Sequence, residues 1–129
     1  MIGIYSTPLL CSHYSTSQGT VNVVWSVMMR SVLHLTGVGL GFGFGKTLEH
    51  NYTLLKKLSY FHALQRPILV GLSRKGMIQK VIGSTAEMAL NGTTAAHVLA
   101  IQNGANILRV HDVKEAKEAI QIVDFYQKQ

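Results

Sequence analysis

Two stretches, PILVGLSRK at residues 67–75 and NILRVHDV at residues 106–113, decide how this chain folds. The first holds an apolar run of strand length with no polar alternation. That is the pattern of a short strand covered on both faces, as parallel strands are. The second, entered from Ala105 and left at His111, reads the same way. Parallel neighbours cannot be joined by a tight turn and need a crossover, usually helical.

Working outward, the helices are where such crossovers require them. Upstream, Leu54, Leu55, Leu58 and Phe61 recur at helical spacing with Lys56 and Lys57 turned away, predicting one surface helix over 51–64. Between the strands, RKGMIQKVIG (74–83) predicts a short helix, and Asn91 is placed to cap a second one through TTAAHVLAIQ, stopped by Asn103 and Gly104. After the second strand, Asp112 and Glu115 predict an acidic capping pair for a last helix, whose inner stripe is Val113, Ala116, Ile120 and Val123. The class is α/β, a parallel sheet covered by helices.

At 129 residues, 47% hydrophobic and 14% charged, the chain is too apolar to be disordered and long enough for one domain. The single cysteine, Cys11, excludes an intramolecular disulfide framework and predicts a reducing, cytoplasmic setting. A net charge of +6 invites a nucleic-acid reading. The basic residues are scattered, however, and no RNA-binding or zinc-finger signature accompanies them. A small anionic substrate fits the charge, and no nucleic-acid partner is expected. Residues 1–19 lack the basic start of a secretory signal. The apolar stretch 21–40 contains Arg30 and His34, which argues against a membrane span.

Charge divides the chain unevenly. Before Lys46 the only charged side chain, histidines aside, is Arg30, and the first acid is Glu49. Residues 1–40 therefore read as an atypical segment, and 41–129 as the α/β unit.

In parallel α/β folds ligands bind beyond the carboxyl ends of the strands. Ser73, Arg74 and Lys75 leave the first strand there, and Arg109 and His111 the second. Residues two apart on a strand share a face, so Arg109 with His111, and Ser73 with Lys75, can project together into one cleft. An arginine fork suits phosphate oxygens, a histidine can add a donor, and the following helix start adds backbone amides. A surface Arg109 paired with Asp112, beside a histidine without a role, fits the same residues.

Upstream, GFGFGKT at 41–47 has the look of a phosphate-binding loop. A P-loop needs a glycine five positions before Gly45, where Leu40 stands, and no hydrophobic strand runs cleanly into it. Nucleotide triphosphate hydrolysis is not expected. His62 and His97 have no second ligand at metal spacing, and Met77 and Met88 read as packing residues.

In this order and at these separations, GFGFGK, PILVGLSRK, NGTTAA and NILRVHDV resemble the C-terminal half of the dihydropteroate synthase family, over residues 41 to about 126. The resemblance implies a partial (β/α)8 TIM barrel, represented by its last strands and helices only. It implies condensation of 6-hydroxymethyl-7,8-dihydropterin pyrophosphate with p-aminobenzoate to 7,8-dihydropteroate and pyrophosphate, with Mg2+ assisting the leaving group. With the single cysteine and the interrupted stretch 21–40, the expectation is a soluble, cytoplasmic protein with no membrane partner, and a homodimer is one way for half a barrel to rebuild a closed sheet.

By the same resemblance, Arg109 and His111 would hold the pyrophosphate and Lys75 would bond the pterin ring, these three being the catalytic set. Ser73 and Phe44 would line the aminobenzoate pocket, where sulfonamides also bind, and Gly43 would complete the substrate-binding group. The family writes an Asp-Pro pair before the glycine loop, and Gly39 and Leu40 stand there. The resemblance brings no magnesium ligand onto this chain either. Weak or absent activity of the chain alone is the implied outcome. A related pterin-binding methyltransferase domain, or a half-barrel interaction module without catalysis, is the alternative.

Overall fold

The computed structural model describes residues 12–16, 19–24, 38–43 and 45–129, with side chains described from Gly39 onward. The readings made on residues 1–11, on Arg30 and His34, and on Phe44 lie outside the described residues. Within them the strands are β1 (Ser12–Thr16), β2 (Gly19–Val24), β3 (Val38–Leu40), β4 (Ile68–Val70) and β5 (Ile107–Arg109). The helices are α1 (Leu48–Lys56), a 3-10 helix (Leu58–Leu64), α2 (Gly76–Ile82), α3 (Leu90–Gln102) and α4 (Val113–Gln127).

The strands form one five-stranded sheet in the order β1-β2-β5-β4-β3. β3, β4 and β5 run parallel, β2 joins β5 in parallel, and β1 pairs antiparallel with β2. The apolar run at 67–72 behaves as its pattern requires, since Ile68, Leu69 and Val70 are all buried. A strand does lead into the glycine loop, contrary to the sequence expectation. β3 is only three residues long and has a glycine at its centre, which hides it from a hydrophobicity pattern.

Alternation sorts the sheet's two faces. Ile68, Val70, Leu72, Leu108 and Val110 join the core with Leu55, Leu58, Ile78, Ala96, Ala100 and Ile120 from the helices. Gly39, Leu69, Gly71, Ile107 and Arg109 alternate with them and belong to the opposite face. That opposite face carries the strand-end chemistry.

Several local expectations are corrected by packing. The predicted helix 51–64 breaks at Lys57 into α1 and the 3-10 helix. Leu55, Leu58, Phe61 and Leu64 recur every three residues, which fits the three-residue turn of a 3-10 helix better than an α-helical one. Asn91 does not cap α3: the helix begins at Leu90 with the fully buried Ala89 at its cap, and Asn91 is exposed in the first turn. Met77 is buried, but Met88 is 74% exposed and packs against nothing in the core. Asp112 occupies the N-cap position of α4 without a side-chain capping bond, because its carboxylate is engaged elsewhere.

The α2–α3 contact runs through Gly92, where an added Cβ would lie 2.7 Å from Ile78 Cγ2 and 3.0 Å from Ile82 Cδ1. Gly92→Ala should therefore lower stability by about 1–2 kcal/mol, the overpacking cost exceeding the gain in helix propensity. Urea unfolding of the two chains checks this.

Candidate functional site

The ladder register between β4 and β5 builds the site. Leu69 faces Ile107 and Val70 faces Leu108. The same offset, 38 residues, continues before the strands, where Ile68 N donates to Asn106 Oδ1 at 3.0 Å. It also continues beyond them, where His111 N donates to Ser73 Oγ at 3.2 Å and Arg74 pairs with Asp112. The two motifs are thus matched residue by residue.

Gly71 and Arg109 fall on one rung of this series. A Cβ on Gly71 would sit 3.1 Å from both Arg109 Nε and Nη2. The bare backbone of Gly71 is what gives the half-buried guanidinium its bed. The ion pairs among the described residues are Arg74–Asp112, Lys114–Glu118 and Lys128–Asp124. The alternative reading of an Arg109–Asp112 pair is thereby overturned, since Asp112 belongs to Arg74.

Ser73 and His111 form the next functional rung. Ser73 is buried and His111 exposed, and the ring Nδ1 lies 2.9 Å from Ser73 Oγ. Ser73 Oγ thus meets both the backbone amide and the ring Nδ1 of His111, so one hydroxyl fixes the placing of the imidazole. β4 ends at Val70 and Arg74 is left-handed, with φ 54. Ser73 and Lys75 are therefore not neighbours on one strand face, as the two-residue argument has it, but flank a turn.

Lys75 reaches back across the sheet and donates to the carbonyl of Phe42 at 2.6 Å. Its stem passes Gly43, whose φ of 93 suits glycine and whose added Cβ would meet Lys75 Cδ at 3.7 Å. Partial burial pulls the Lys75 ammonium below its ordinary range, and the positive charges of Arg109 and Lys46 push it the same way. Lys75, Arg109 and Lys46 thus gather positive charge at one end of the sheet, an arrangement that favours anions over cations there.

Two residues that sequence reasoning missed shape the glycine loop. Buried Asn51 accepts from Gly43 N at 2.8 Å and donates to Thr47 O at 2.8 Å. Thr47 caps α1 by accepting from His50 N at 3.2 Å. The signal for Asn51 was a polar residue one turn before Leu55 on the buried stripe. The Lys-Thr pair that suggests a P-loop is a loop lysine, bonded to Gly41 O at 2.8 Å, and a helix cap.

Among the described residues no group of three or more histidines, cysteines or acids could hold a metal ion. The carboxylate beside His111, on Asp112, is held by Arg74. The side chains gathered at the strand ends thus do not fit a protein-held Mg2+. No described helix is long and apolar enough to cross a membrane. The surface groove over Lys46, His50, Leu54, Lys57, Tyr60 and Phe61 contains none of the strand-end residues.

His97 on α3 is buried, and its Nε2 has no hydrogen-bond partner among the described residues. Burial lowers its imidazole from 6.5 to about 4, with the Asp112 carboxylate opposing weakly. The unfolded chain takes up this proton first. Stability should therefore be full above about pH 6.5 and fall as pH drops toward about 4, by roughly 3 kcal/mol in total. His97→Leu should flatten that slope in chemical denaturation between pH 7 and 4.5. Asp112, held low by Arg74, loses its contribution only at still lower pH.

The sequence profile of the family described as Pterin binding enzyme matches residues 38–111. The dihydropteroate synthase of Escherichia coli K12 is 50% identical over 84 residues, which is 65% of this chain and 30% of that protein. The structure of the Yersinia pestis dihydropteroate synthase aligns with a TM-score of 0.69 and 45% identity, covering 70% of this chain and 37% of that one. The Thermus thermophilus dihydropteroate synthase in complex with 4-aminobenzoate aligns with a TM-score of 0.64 and 44% identity, covering 67% of this chain and 34% of that one. The match thus spans about a third of the relatives' length.

Proposed function

The chain belongs to the pterin-binding enzyme family, and on that premise we propose that it carries the pyrophosphate-binding part of a dihydropteroate synthase site. Its fold is the corresponding part of a TIM barrel. The observation that carries the reading is the rung series in which Gly71 opposes Arg109 and Ser73 bonds His111, with Lys75 alongside. The reaction is condensation of 6-hydroxymethyl-7,8-dihydropterin pyrophosphate with p-aminobenzoate. The bond from the pterin methylene carbon to the pyrophosphate oxygen breaks, and the aryl amine nitrogen bonds to that carbon and then loses a proton.

Charge develops on the departing pyrophosphate, so fixed donors there do more than a strong base would. Arg109 supplies a planar fork and His111 its imidazole. Lys75 supplies an ammonium near the pterin, and Ser73 orients the imidazole. Gly43 keeps the glycine loop close to the Lys75 stem, and Ser73 borders the aminobenzoate position, a role the family resemblance also assigns to Phe44. Among the described residues the strand-end side chains offer magnesium no free carboxylate, so the leaving group's charge falls to Arg109, His111 and Lys75. With Gly39 where the family has aspartate, the chain alone is a weak condensing enzyme.

Product formation tests this reading. With both substrates and magnesium present, the chain should give 7,8-dihydropteroate slowly but above the buffer rate, and Lys75→Ala should remove that excess. Equal rates for buffer and a folded wild-type chain would reject the catalytic part of the proposal.

A further inference from the structure

Arg74 stands between Ser73 and Lys75 in a left-handed backbone conformation, φ 54, that a side-chain-bearing residue adopts at a cost. Such a conformation persists only where its surroundings over-determine it, and here they do. Its amide donates to the buried hydroxyl of Thr93 at 3.0 Å, and its carbonyl accepts from Gln79 Nε2 at 2.7 Å. Its Nη1 donates to the carbonyls of Ala86 and Glu87 at 3.2 and 3.0 Å. Its Nε and Nη2 grip both oxygens of Asp112 at 2.9 and 2.7 Å. One residue thereby ties α2, α3, the turn before α3 and the start of α4.

Asp112 gives up something in return. It stands at the N-cap of α4, where an aspartate ordinarily accepts from the helix's own first amides, and it caps none of them. Its carboxylate is spent on a residue 38 positions away.

We infer that the Arg74–Asp112 pair is a positioning strut for the anion site: it locks the loop after β4 to the loop after β5, so that Ser73, Lys75 and His111 meet a bound anion as one preformed set. Neither strut residue touches the anion. The pair is the rung that follows Ser73–His111, and it fixes the backbone on both sides of that contact. The inference rests on the proposed function, since that reading makes the strand-end group a binding site.

The test uses the full chain, inorganic pyrophosphate as the probe, and circular dichroism to confirm folding. Arg74→Ala and Asp112→Asn should each weaken pyrophosphate binding about tenfold, as misplaced donors do. The double variant should be no weaker than the weaker single one, because the two act as a unit. Arg74→Lys keeps the charge without the fork and should lose affinity like alanine. In the ligand-free chain, Arg74→Ala, a substitution remote from His111 in sequence, should also move the NMR ring resonances of His111.

Folded single variants that bind as tightly as wild type would overturn the strut, as would losses that multiply in the double variant or full recovery with lysine. If wild type and Arg109→Ala both fail to bind pyrophosphate, the anion-site reading falls instead. The tie between the two loops is then read from the His111 resonances after Arg74→Ala: moved, Arg74 and Asp112 still set the imidazole; unmoved, the strut is gone as well.

Discussion

Replacing Arg109 with alanine should lower the affinity for pyrophosphate and for the pterin pyrophosphate roughly ten- to a hundredfold while leaving the fold intact. Hydrogen bonds to charged groups contribute about 1.5–3 kcal/mol each, and about 1.4 kcal/mol is a factor of ten. The guanidinium lies over Gly71 and is paired with no carboxylate among the described residues, so its removal orphans no internal partner. The fold is supported from the other face of the sheet, where Leu108 and Val110 are buried in the core. Titration calorimetry of the two chains, each checked by thermal melting, reads the effect. A large drop in melting temperature would instead assign Arg109 a structural role.

Restoring an aspartate at position 39 should move affinity the other way. Gly39 pairs with Leu69 and therefore shares the face of Gly71 and Arg109, one step earlier along the sheet. It is exposed, so a carboxylate placed there keeps its hydration until a ligand arrives. By the family resemblance it would accept from the pterin's nitrogen edge, a charged pair of bonds worth about 1.5–3 kcal/mol or more. Gly39→Asp should therefore tighten pterin pyrophosphate binding roughly tenfold or better and raise product formation. Binding of inorganic pyrophosphate should not improve, since the new charge only repels it. Equal gains for both ligands would mean that the aspartate acts by reshaping β3.

The strands at 68–70 and 107–109 were legible because an unbroken apolar run has few other uses, and the helix stripes because Leu55, Ala116, Ile120 and Val123 keep a helical period. The missed features are those in which one element answers to a distant one. β3 escaped notice because Gly39 carries no hydrophobic signal. The α3 start moved because buried Ala89, rather than a capping Asn91, fixes it. Asp112 was assigned to its own helix because local capping is the nearest use for an aspartate there, and no spacing announces a partner 38 residues upstream. Strand-end logic found Ser73, Lys75, Arg109 and His111. It named Arg74 without its tie to Asp112, and it could not find Asn51, whose work is to hold backbone in place.

The most direct measurement is a calorimetric titration of the folded chain with 6-hydroxymethyl-7,8-dihydropterin pyrophosphate in magnesium buffer, beside the same pterin without its pyrophosphate. A strand-end pyrophosphate site should give saturable binding of the first that depends on Arg109 and is displaced by inorganic pyrophosphate, and much weaker binding of the second. A folded chain that binds neither, or binds both alike, would contradict it.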